Sequence, residues 1–444
     1  MRELDPTLRD EICEVVEARR ADTMRLLQEL VRIPSVTGEE GAVQNFIEDE
    51  FNERGYVVER CVVSDEELAP YVEHVGTPSN LEDRPSIVAT RAGKGGGRSL
   101  LMNAHVDTVE NGDPETWTHD PLSGEVVGDL LYGRGSCDMK GGLVSHIVAL
   151  DALESLGIEL NGDAIVAATV SEEDGGVGAL ATILDGYRAD AALITEPTRL
   201  ALVPALGGAL VFRLKVFGQS THAATREQGV SAFEKFLPIF EELRELEKER
   251  NATLHHPLFD ELENKAPINV GVVRSGNWPV TVPESLSAEI RMALLPGEDL
   301  ESSWSLLQER IDAVVGRDPW LRKHPPAFEW IGGQALPSDV PVDAPICEAI
   351  VTAHRQATGQ PPEIEAVAYG SDMRLFDHFG EMPCVLYGAG DVSLAHGPDE
   401  HISISELLTA TKTIACLLAG WCGVASESAG HPGGVKSKHE SRSG

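Results

Sequence analysis

Two adjacent glutamates, Glu172 and Glu173, directly follow an apolar segment, DAIVAATV (163–170), that predicts a buried strand. Carboxylates placed side by side repel each other, and their burial is costly unless they are paired or bound to a metal. Neighbouring residues of an extended chain point to opposite sides, so the two side chains cannot be equivalent ligands of one ion. Taken alone, the segment leaves a solvated turn open as the alternative.

Further imidazole and carboxylate side chains stand at or shortly after the ends of other apolar segments. They are His105 and Asp107 in AHVD (104–107), Asp138 in GRGSCDMKGG (133–142), Glu196 in TEP (195–197) and His396 in LAHGPDEH (394–401). Each of these patterns is more often structural when it occurs singly. Together with the two glutamates they form a His/Asp/Glu set of the type that binds zinc, cobalt or manganese.

The elements that must position these side chains alternate between strand-like and helical patterns, which is typical of an α/β sheet. Strands are predicted at 99–109, 163–170, 191–198 and 384–390, and helices at 24–34, 41–55 and 139–157. Ligands of open α/β sheets bind outside the carboxyl ends of the strands. The candidate metal ligands all fall at such ends or in the loops beside them.

Residues 208–333 differ in pattern from the rest of the chain. Four strand-like and two helical segments in this range predict a small α+β sandwich inserted into the larger domain. We therefore expect a catalytic domain made of residues 1–207 and 334–424. The remaining residues, 425–444, are rich in Ser, Gly, His and Lys and predict a disordered tail.

The composition excludes several classes of function. A formal net charge of −36 over 444 residues argues against nucleic acids and anionic membranes as partners, because both bind clustered Lys and Arg. No apolar run is long enough to span a bilayer, and no secretion signal is visible. Seven cysteines without a CxxC pair favour reduced thiols. We therefore expect a cytoplasmic protein.

The chain resembles the acetylornithine deacetylase and succinyl-diaminopimelate desuccinylase group of co-catalytic metallopeptidases, which also includes aminoacylases and glutamate carboxypeptidases. The stretches that carry the resemblance, in the same order and spacing, are NAHVDTV, WTHDPLSGEVVGDLLYGRGSCDMKGG, SEEDGG, TEPT and AHGPDEHI. The resemblance extends from about residue 20 to 424. It implies a zinc-peptidase-like α/β domain, with a mixed central sheet flanked by helices, and a ferredoxin-like inserted lid and dimerisation domain.

The resemblance also implies a ligand set for two divalent metal ions per chain, Zn²⁺ first and Co²⁺ or Mn²⁺ as alternatives. Asp138 would bridge the two ions. His105 and Glu196 would complete one site, and Glu173 and His396 the other.

Three further expectations near the metals come from the same resemblance. Asp107 would orient His105, because a metal-bound imidazole usually donates its free N–H to such a partner. Glu172 would be the general base, removing a proton as a metal-bridging hydroxide attacks the amide carbon. The peptide bond between Asp138 and Met139 is expected to be cis.

Two residues of the inserted domain are candidates for contacts with the substrate. By resemblance, His222 in GQSTHAA (218–224) would reach the active site from the lid, and Arg291 would grip a substrate carboxylate with its planar fork. A surface histidine and a structural ion pair are the respective alternatives. The sequence departs from the family at Val280, where relatives often have an asparagine, so substrate recognition need not carry over.

These observations predict a metal-dependent amidohydrolase that removes an acyl group from the nitrogen of an amino acid or a similar small amine. An acetylornithine-deacetylase-like reaction is the first expectation, and a dipeptidase or carboxypeptidase with the same chemistry is the alternative. A non-catalytic relic of the fold is disfavoured because Glu172 and the whole ligand set are present. We expect a homodimer formed through the inserted domain.

Overall fold

The computed structural model describes residues 3–78 and 80–425. These residues form a large mixed sheet flanked by helices, a four-stranded antiparallel sheet with two helices of its own, and a three-stranded antiparallel sheet. The predicted fold, an α/β domain combined with an α+β sandwich, is confirmed. The predicted tail lies, except for Ala425, outside the described residues.

The strands of the described residues are numbered in chain order. They are β1 (Val57–Cys61), β2 (Ser86–Arg91), β3 (Leu100–His105), β4 (Val126–Val127), β5 (Leu130–Tyr132), β6 (Ala164–Thr169), β7 (Ala192–Ile194), β8 (Leu202–Leu206), β9 (Gly208–Phe217), β10 (Ile268–Ser275), β11 (Ser285–Leu294), β12 (Ala327–Trp330), β13 (Ser338–Asp339), β14 (Ile364–Val367), β15 (Cys384–Leu386) and β16 (His401–Ser403).

The α-helices are numbered in the same way. They are α1 (Pro6–Ala18), α2 (Arg20–Arg32), α3 (Gly41–Glu53), α4 (Asp65–Leu68), α5 (Val72–Val75), α6 (Gly141–Ser155), α7 (Val177–Leu184), α8 (Ala232–Thr253), α9 (Leu300–Arg317), α10 (Pro345–Thr358), α11 (Met373–His378) and α12 (Ile404–Trp421).

The large sheet has the strand order β1-β2-β6-β3-β7-β15-β8-β13, and β14 pairs with β8. Its central strands β6, β3, β7 and β15 are parallel neighbours. They are short runs buried on both faces, as parallel strands covered by helices must be. Because these four strands point the same way, their carboxyl ends meet at one edge of the sheet.

Helices α6 and α12 pack against each other and are buried on almost every side. This agrees with their composition, since a helix that is apolar all round belongs in a core. Ser403 begins α12 by accepting a hydrogen bond from the Glu406 N–H at 3.1 Å. Within the described residues, no helix combines the length and the apolar character that crossing a bilayer requires.

Several predicted elements are shorter than the sequence suggests. The strands predicted at 191–198 and 384–390 span only Ala192–Ile194 and Cys384–Leu386. The strand predicted at 99–109 ends at His105, because the chain then leaves the sheet and pairs with residues 35–37. The helix predicted at 139–157 begins only at Gly141, because Asp138 and Met139 have non-helical dihedral angles.

The four-stranded sheet has the order β10-β11-β9-β12 and is covered by α8 and α9. Strands β9 and β11 pair along ten residues each, and the unit buries a hydrophobic cluster of its own. These elements lie within residues 208–330, inside the predicted insertion.

Candidate metal centre

The carboxyl ends of the four central parallel strands carry the candidate ligands. His105 is the last residue of β3, Glu172 and Glu173 follow β6, and Glu196 follows β7. His396 lies in the loop between β15 and β16. The register of the sheet therefore brings together side chains that are separated by up to several hundred residues in the sequence.

Four of the predicted ligands form a continuous chain of contacts. His105 Nε2 lies 3.0 Å from Asp138 Oδ1, and the other oxygen of Asp138, Oδ2, lies 3.5 Å from His396 Nε2. His396 Nε2 also lies 2.9 Å from Glu173 Oε1. Asp138 thus has one carboxylate oxygen toward each imidazole, which is the arrangement that a bridging ligand requires.

The ring of His105 is held by its other nitrogen. Nδ1 donates to the main-chain carbonyl of Asp107 at 3.0 Å and lies 3.5 Å from the carboxylate of the same residue. This leaves Nε2 as the nitrogen available to a metal. Burial opposes the charged imidazolium, but hydrogen bonds to Asp107 and Asp138 outweigh it and raise the pKa of His105 well above its ordinary value.

The carboxylate of Asp107 binds the main chain of both glutamates. Its Oδ1 accepts the N–H of Glu172 at 3.1 Å, and its Oδ2 accepts the N–H of Glu173 at 3.1 Å and the hydroxyl of Thr37 at 3.0 Å. The carboxylate is fully buried, which acts against ionisation, but His105 first and the N–H groups of Glu173 and Glu172 next favour the ionised form, so the pKa of Asp107 is lowered. Asp107 therefore positions the segment that carries both glutamates, in addition to His105.

Glu172 and Glu196 are acidic groups in an unfavourable environment. Burial raises the pKa of Glu172 well above its ordinary value, and the nearby carboxylates of Asp372, Glu196 and Glu173 act in the same direction. Burial and the charge of Asp138 raise the pKa of Glu196 to about 8. Several carboxylates thus converge where their negative charges disfavour one another.

This donor set fits divalent metal ions. His105, Asp138 and Glu173 each present one ligand atom, and these atoms lie within 4.8 Å of one another. Imidazole nitrogens and carboxylate oxygens are the ligands that zinc, cobalt and manganese accept. Bound cations would also offset the cost of burying so many carboxylates.

Asp138 is held by Glu400, which the sequence analysis did not single out. Glu400 Oε1 accepts the N–H groups of Cys137 at 3.0 Å and Asp138 at 3.1 Å, and its Oε2 pairs with Arg134 Nη1 at 2.7 Å. Pairing of β16 with β5 brings these segments together. The Asp138–Met139 peptide is cis, as the resemblance predicts.

A second group that sequence reasoning missed lies in the segment YGSDMR (369–374). Asp372 is 1% exposed, and neither of its carboxylate oxygens has a hydrogen-bond partner among the described residues. Arg374 is buried as well and donates to the carbonyl of Gly175 at 2.9 Å. The Ser371-Asp372 pair with an arginine two residues later, shortly after β14, was the signal that could have indicated them.

The two candidates of the inserted domain lie in different surroundings. His222 is exposed, and its Nδ1 accepts the N–H of Ala224 at 3.1 Å within the inserted domain. Val280, the departure from the family pattern, lies beside it, since its carbonyl accepts the N–H of Ala223 at 2.9 Å. His222 and Val280 therefore belong to one surface of the insertion.

Arg291 lies on β11 and is half-buried. Its Nη2 donates to the carbonyl of Ala368 at 3.0 Å, and burial lowers its pKa. Among the described residues Arg291 forms no ion pair, so the structural ion pair considered above is absent. Within residues 3–78 and 80–425, the guanidinium keeps donors that no acidic side chain occupies.

Fold and site together define a metal-dependent hydrolase that acts on amide bonds. Residues 101–420 match the description of Peptidase family M20/M25/M40. The chain belongs to this family, and the predicted resemblance is confirmed.

Relatives with curated names and solved structures agree with this assignment. An N-formyl-4-amino-5-aminomethyl-2-methylpyrimidine deformylase from Bacillus subtilis is 30% identical over 73% of this chain and 79% of its own length. An acetylornithine deacetylase from Edwardsiella ictaluri is 28% identical over 88% of this chain and 94% of its own length. Human carnosine dipeptidase 1 shares the fold with a TM-score of 0.72 and 16% identity, covering 95% of this chain and 100% of its own.

Proposed function

We propose that this protein removes an acyl group from the nitrogen of an amino acid or a similar small amine, using two divalent metal ions. The observation that carries the proposal is the contact chain of His105, Asp138, His396 and Glu173 at the ends of parallel strands. The names of two relatives, a deformylase and a deacetylase, support release of an acyl group.

The ions would be held by the ligands inferred from the resemblance. Asp138 would bridge them, with His105 and Glu196 on one side and Glu173 and His396 on the other. Zinc is our first choice, and cobalt and manganese accept the same donors. When bound, such ions polarise the scissile carbonyl and lower the pKa of a water molecule.

Glu172 moves the proton in the proposed reaction. Its carboxylate removes a proton from the attacking water and later delivers it to the leaving amine. Burial and the surrounding carboxylates raise its pKa, which makes it a stronger base than an exposed glutamate. Asp107 fixes the main chain of Glu172 and so sets the direction of that side chain.

The inserted domain would complete the site. His222 would donate to the oxyanion that develops on the substrate, reaching the centre across a dimer interface. Arg291 would bind a substrate carboxylate, which is supported by its half-buried guanidinium, whose hydrogen bond within the described residues is with the carbonyl of Ala368. We propose residues 208–333 as this lid and the flanking parts, 1–207 and 334–424, as the catalytic domain.

We further propose a homodimer formed through the inserted domain. Strand β10 is an edge of the four-stranded sheet, and α8 exposes Phe233, Leu237 and Phe240 on one face. An exposed edge strand and a row of apolar side chains are features that association would cover. Sedimentation velocity tests this, since a monomer at micromolar concentration would contradict it.

We also propose a cytoplasmic location, supported by seven cysteines that are all free.

Amide hydrolysis by the metal-reconstituted protein tests the reaction. N-acetyl, N-formyl and N-succinyl amino acids are compared with dipeptides, and bound metal is counted in parallel. Turnover of an acylated amino acid with two ions per chain supports the deacylase. Turnover of dipeptides alone would instead favour the dipeptidase or carboxypeptidase alternative, and absence of bound metal would contradict the proposed centre.

Two variants test the assigned roles. Glu172→Gln should retain both ions and lose turnover by about 10²-fold or more, because the proton acceptor is gone. His222→Ala should keep the metal content and lower kcat, because only an oxyanion donor is lost. Loss of metal from the first variant, or unchanged activity of the second, would contradict the corresponding role.

A further inference from the structure

The residue that precedes the proposed base has an unusual main-chain conformation. Ser171 has a φ of 62°, in the left-handed region that residues other than glycine rarely adopt, and it is fully buried. Its carbonyl accepts the N–H of Gly176 at 2.6 Å, which closes a tight turn around Glu172 and Glu173. The direction in which Glu172 leaves the strand therefore depends on how Ser171 is held.

A buried ion pair binds the main-chain N–H and the hydroxyl of Ser171. Glu40 Oε1 accepts the main-chain N–H of Ser171 at 3.3 Å, and Arg84 Nη2 donates to its hydroxyl at 2.6 Å. Arg84 Nη1 in turn donates to Glu40 Oε1 at 2.5 Å. The side chains of Glu40 and Arg84 are 0% and 1% exposed.

Neither partner lies near Ser171 in the sequence. Glu40 immediately precedes α3, and Arg84 follows the acidic segment 64–83 and precedes β2. An ion pair withdrawn from water in this way gains little net stability, because desolvation offsets the attraction. Its effect is instead directional, since Glu40 binds the main-chain N–H and Arg84 the hydroxyl of one serine in a left-handed conformation.

The same turn is held at its other residues by separate groups. Asp107 accepts the N–H of Glu172 and of Glu173, and Arg374 donates to the carbonyl of Gly175. Asp107 also contacts His105, so a change at Asp107 would alter the candidate metal centre as well as the turn. Glu40 and Arg84 contact the turn at Ser171, through its main-chain N–H and its hydroxyl.

We propose that Glu40 and Arg84 are positioning residues that hold Ser171 in the left-handed conformation and thereby aim the carboxylate of Glu172. The inference rests on the proposed function only in naming Glu172 as the base. Loosening of the turn would leave substrate binding intact and lower the rate of proton transfer. A misplacement of about 1 Å at a reacting group can cost about 10²-fold in rate.

Two variants probe this pair, Ser171→Gly and Glu40→Gln. Glycine adopts a φ of 62° without strain, so Ser171→Gly removes the hydroxyl while sparing the fold. Glu40→Gln keeps the shape of the side chain and removes its charge. The matched control is Glu298→Gln, which alters a partly buried pair with the buried Arg250, at 2.7 Å, within the inserted domain.

Hydrogen exchange followed by mass spectrometry is measured first, on a peptide that covers residues 168–176, because it needs neither substrate nor metal. We expect exchange in this peptide to accelerate by about tenfold in both variants and to stay unchanged in the control. In the metal-loaded enzyme we expect kcat to fall by about tenfold or more, with KM and metal content near the wild-type values.

Wild-type exchange in the folded Ser171→Gly protein would overturn the proposal, and so would a loss confined to KM. If Glu40→Gln does not fold, Ser171→Gly decides the question alone. If the wild-type protein hydrolyses none of the acylated amino acids or dipeptides, the proposed function fails. The exchange result still tests whether Glu40 and Arg84 hold the turn.

Discussion

Replacing Asp107 by asparagine tests whether one carboxylate positions both glutamates. The carboxylate accepts the N–H groups of Glu172 and Glu173, one on each oxygen, at 3.1 Å each. Asparagine keeps only one acceptor oxygen, so its NH₂ group must face one of these two N–H groups. The change therefore replaces an attractive contact by a repulsive one inside a fully buried site.

The size of the effect follows from these contacts. A hydrogen bond to a charged group contributes about 1.5–3 kcal/mol, and a buried donor left unpaired costs a further 1–3 kcal/mol or so. We expect the free energy of unfolding of Asp107→Asn to fall by about 3–5 kcal/mol. If the glutamates move by about 1 Å, kcat falls by about 10²-fold.

Urea denaturation in the presence of a chelator measures the change in the free energy of unfolding without a contribution from bound metal. Steady-state kinetics on the best acylated substrate measure the change in kcat. Thr37→Val is the graded comparison, because it removes only the neutral hydroxyl that donates to Asp107 at 3.0 Å. Its unfolding free energy should fall by about 1 kcal/mol.

An Asp107→Asn protein that unfolds like the wild type and keeps its kcat would refute this reasoning. The N–H groups of the two glutamates would then not depend on Asp107 for their position. A loss of stability with normal kcat would separate the structural effect from the catalytic one.

Other changes give equally direct expectations. Burial raises the pKa of Asp372 to about 6, so ionisation of this group disfavours folding above that pH and has no effect below about 4. Asp372→Asn should therefore stabilise the chelated protein by about 3 kcal/mol at pH 8 and leave it unchanged at pH 4, and equal shifts at both pH values would contradict this. Gly175→Ala should destabilise the fold strongly, because its Cβ would lie 2.0 Å from the carbonyl oxygen of Val75 at a φ of 132°, and a wild-type Tm would exclude this contact. Glu400→Gln should lower the metal affinity, since Glu400 holds the N–H of Asp138 and would lose its charge, and calorimetric titration with Zn²⁺ measures the change.

Much of this protein could be predicted from the sequence because the relevant signals are local. A short apolar run followed by a polar residue indicates the end of a buried strand, and the rule that parallel strands present their carboxyl ends at one edge then groups the ligands. His105, Glu173 and Glu196 were singled out as candidate ligands in this way, and each lies at or just beyond the end of a parallel strand. The separate four-stranded sheet was predicted for the same reason, since residues 208–333 alternate differently from the rest of the chain.

Local patterns could not supply the length of each element or the way that the site is held. The strand after residue 99 was predicted too long, because its last residues pair with the distant segment 35–37. The expectation that Asp107 orients His105 left out a second set of contacts, because its carboxylate also accepts the N–H groups of both glutamates. Both differences depend on contacts between segments that sequence periodicity treats as unrelated.

The sequence by itself determined which residue types were available and at which strand ends they would stand, because strand period and burial are properties of a few consecutive residues. Only the tertiary structure decided which groups support them. Ser171 and Glu40 are 131 positions apart, and Asp138 and Glu400 are 262 apart, yet each pair forms a hydrogen bond. Buried donors and acceptors need hydrogen-bond partners, and which groups become partners depends on how distant segments pack together in the folded core.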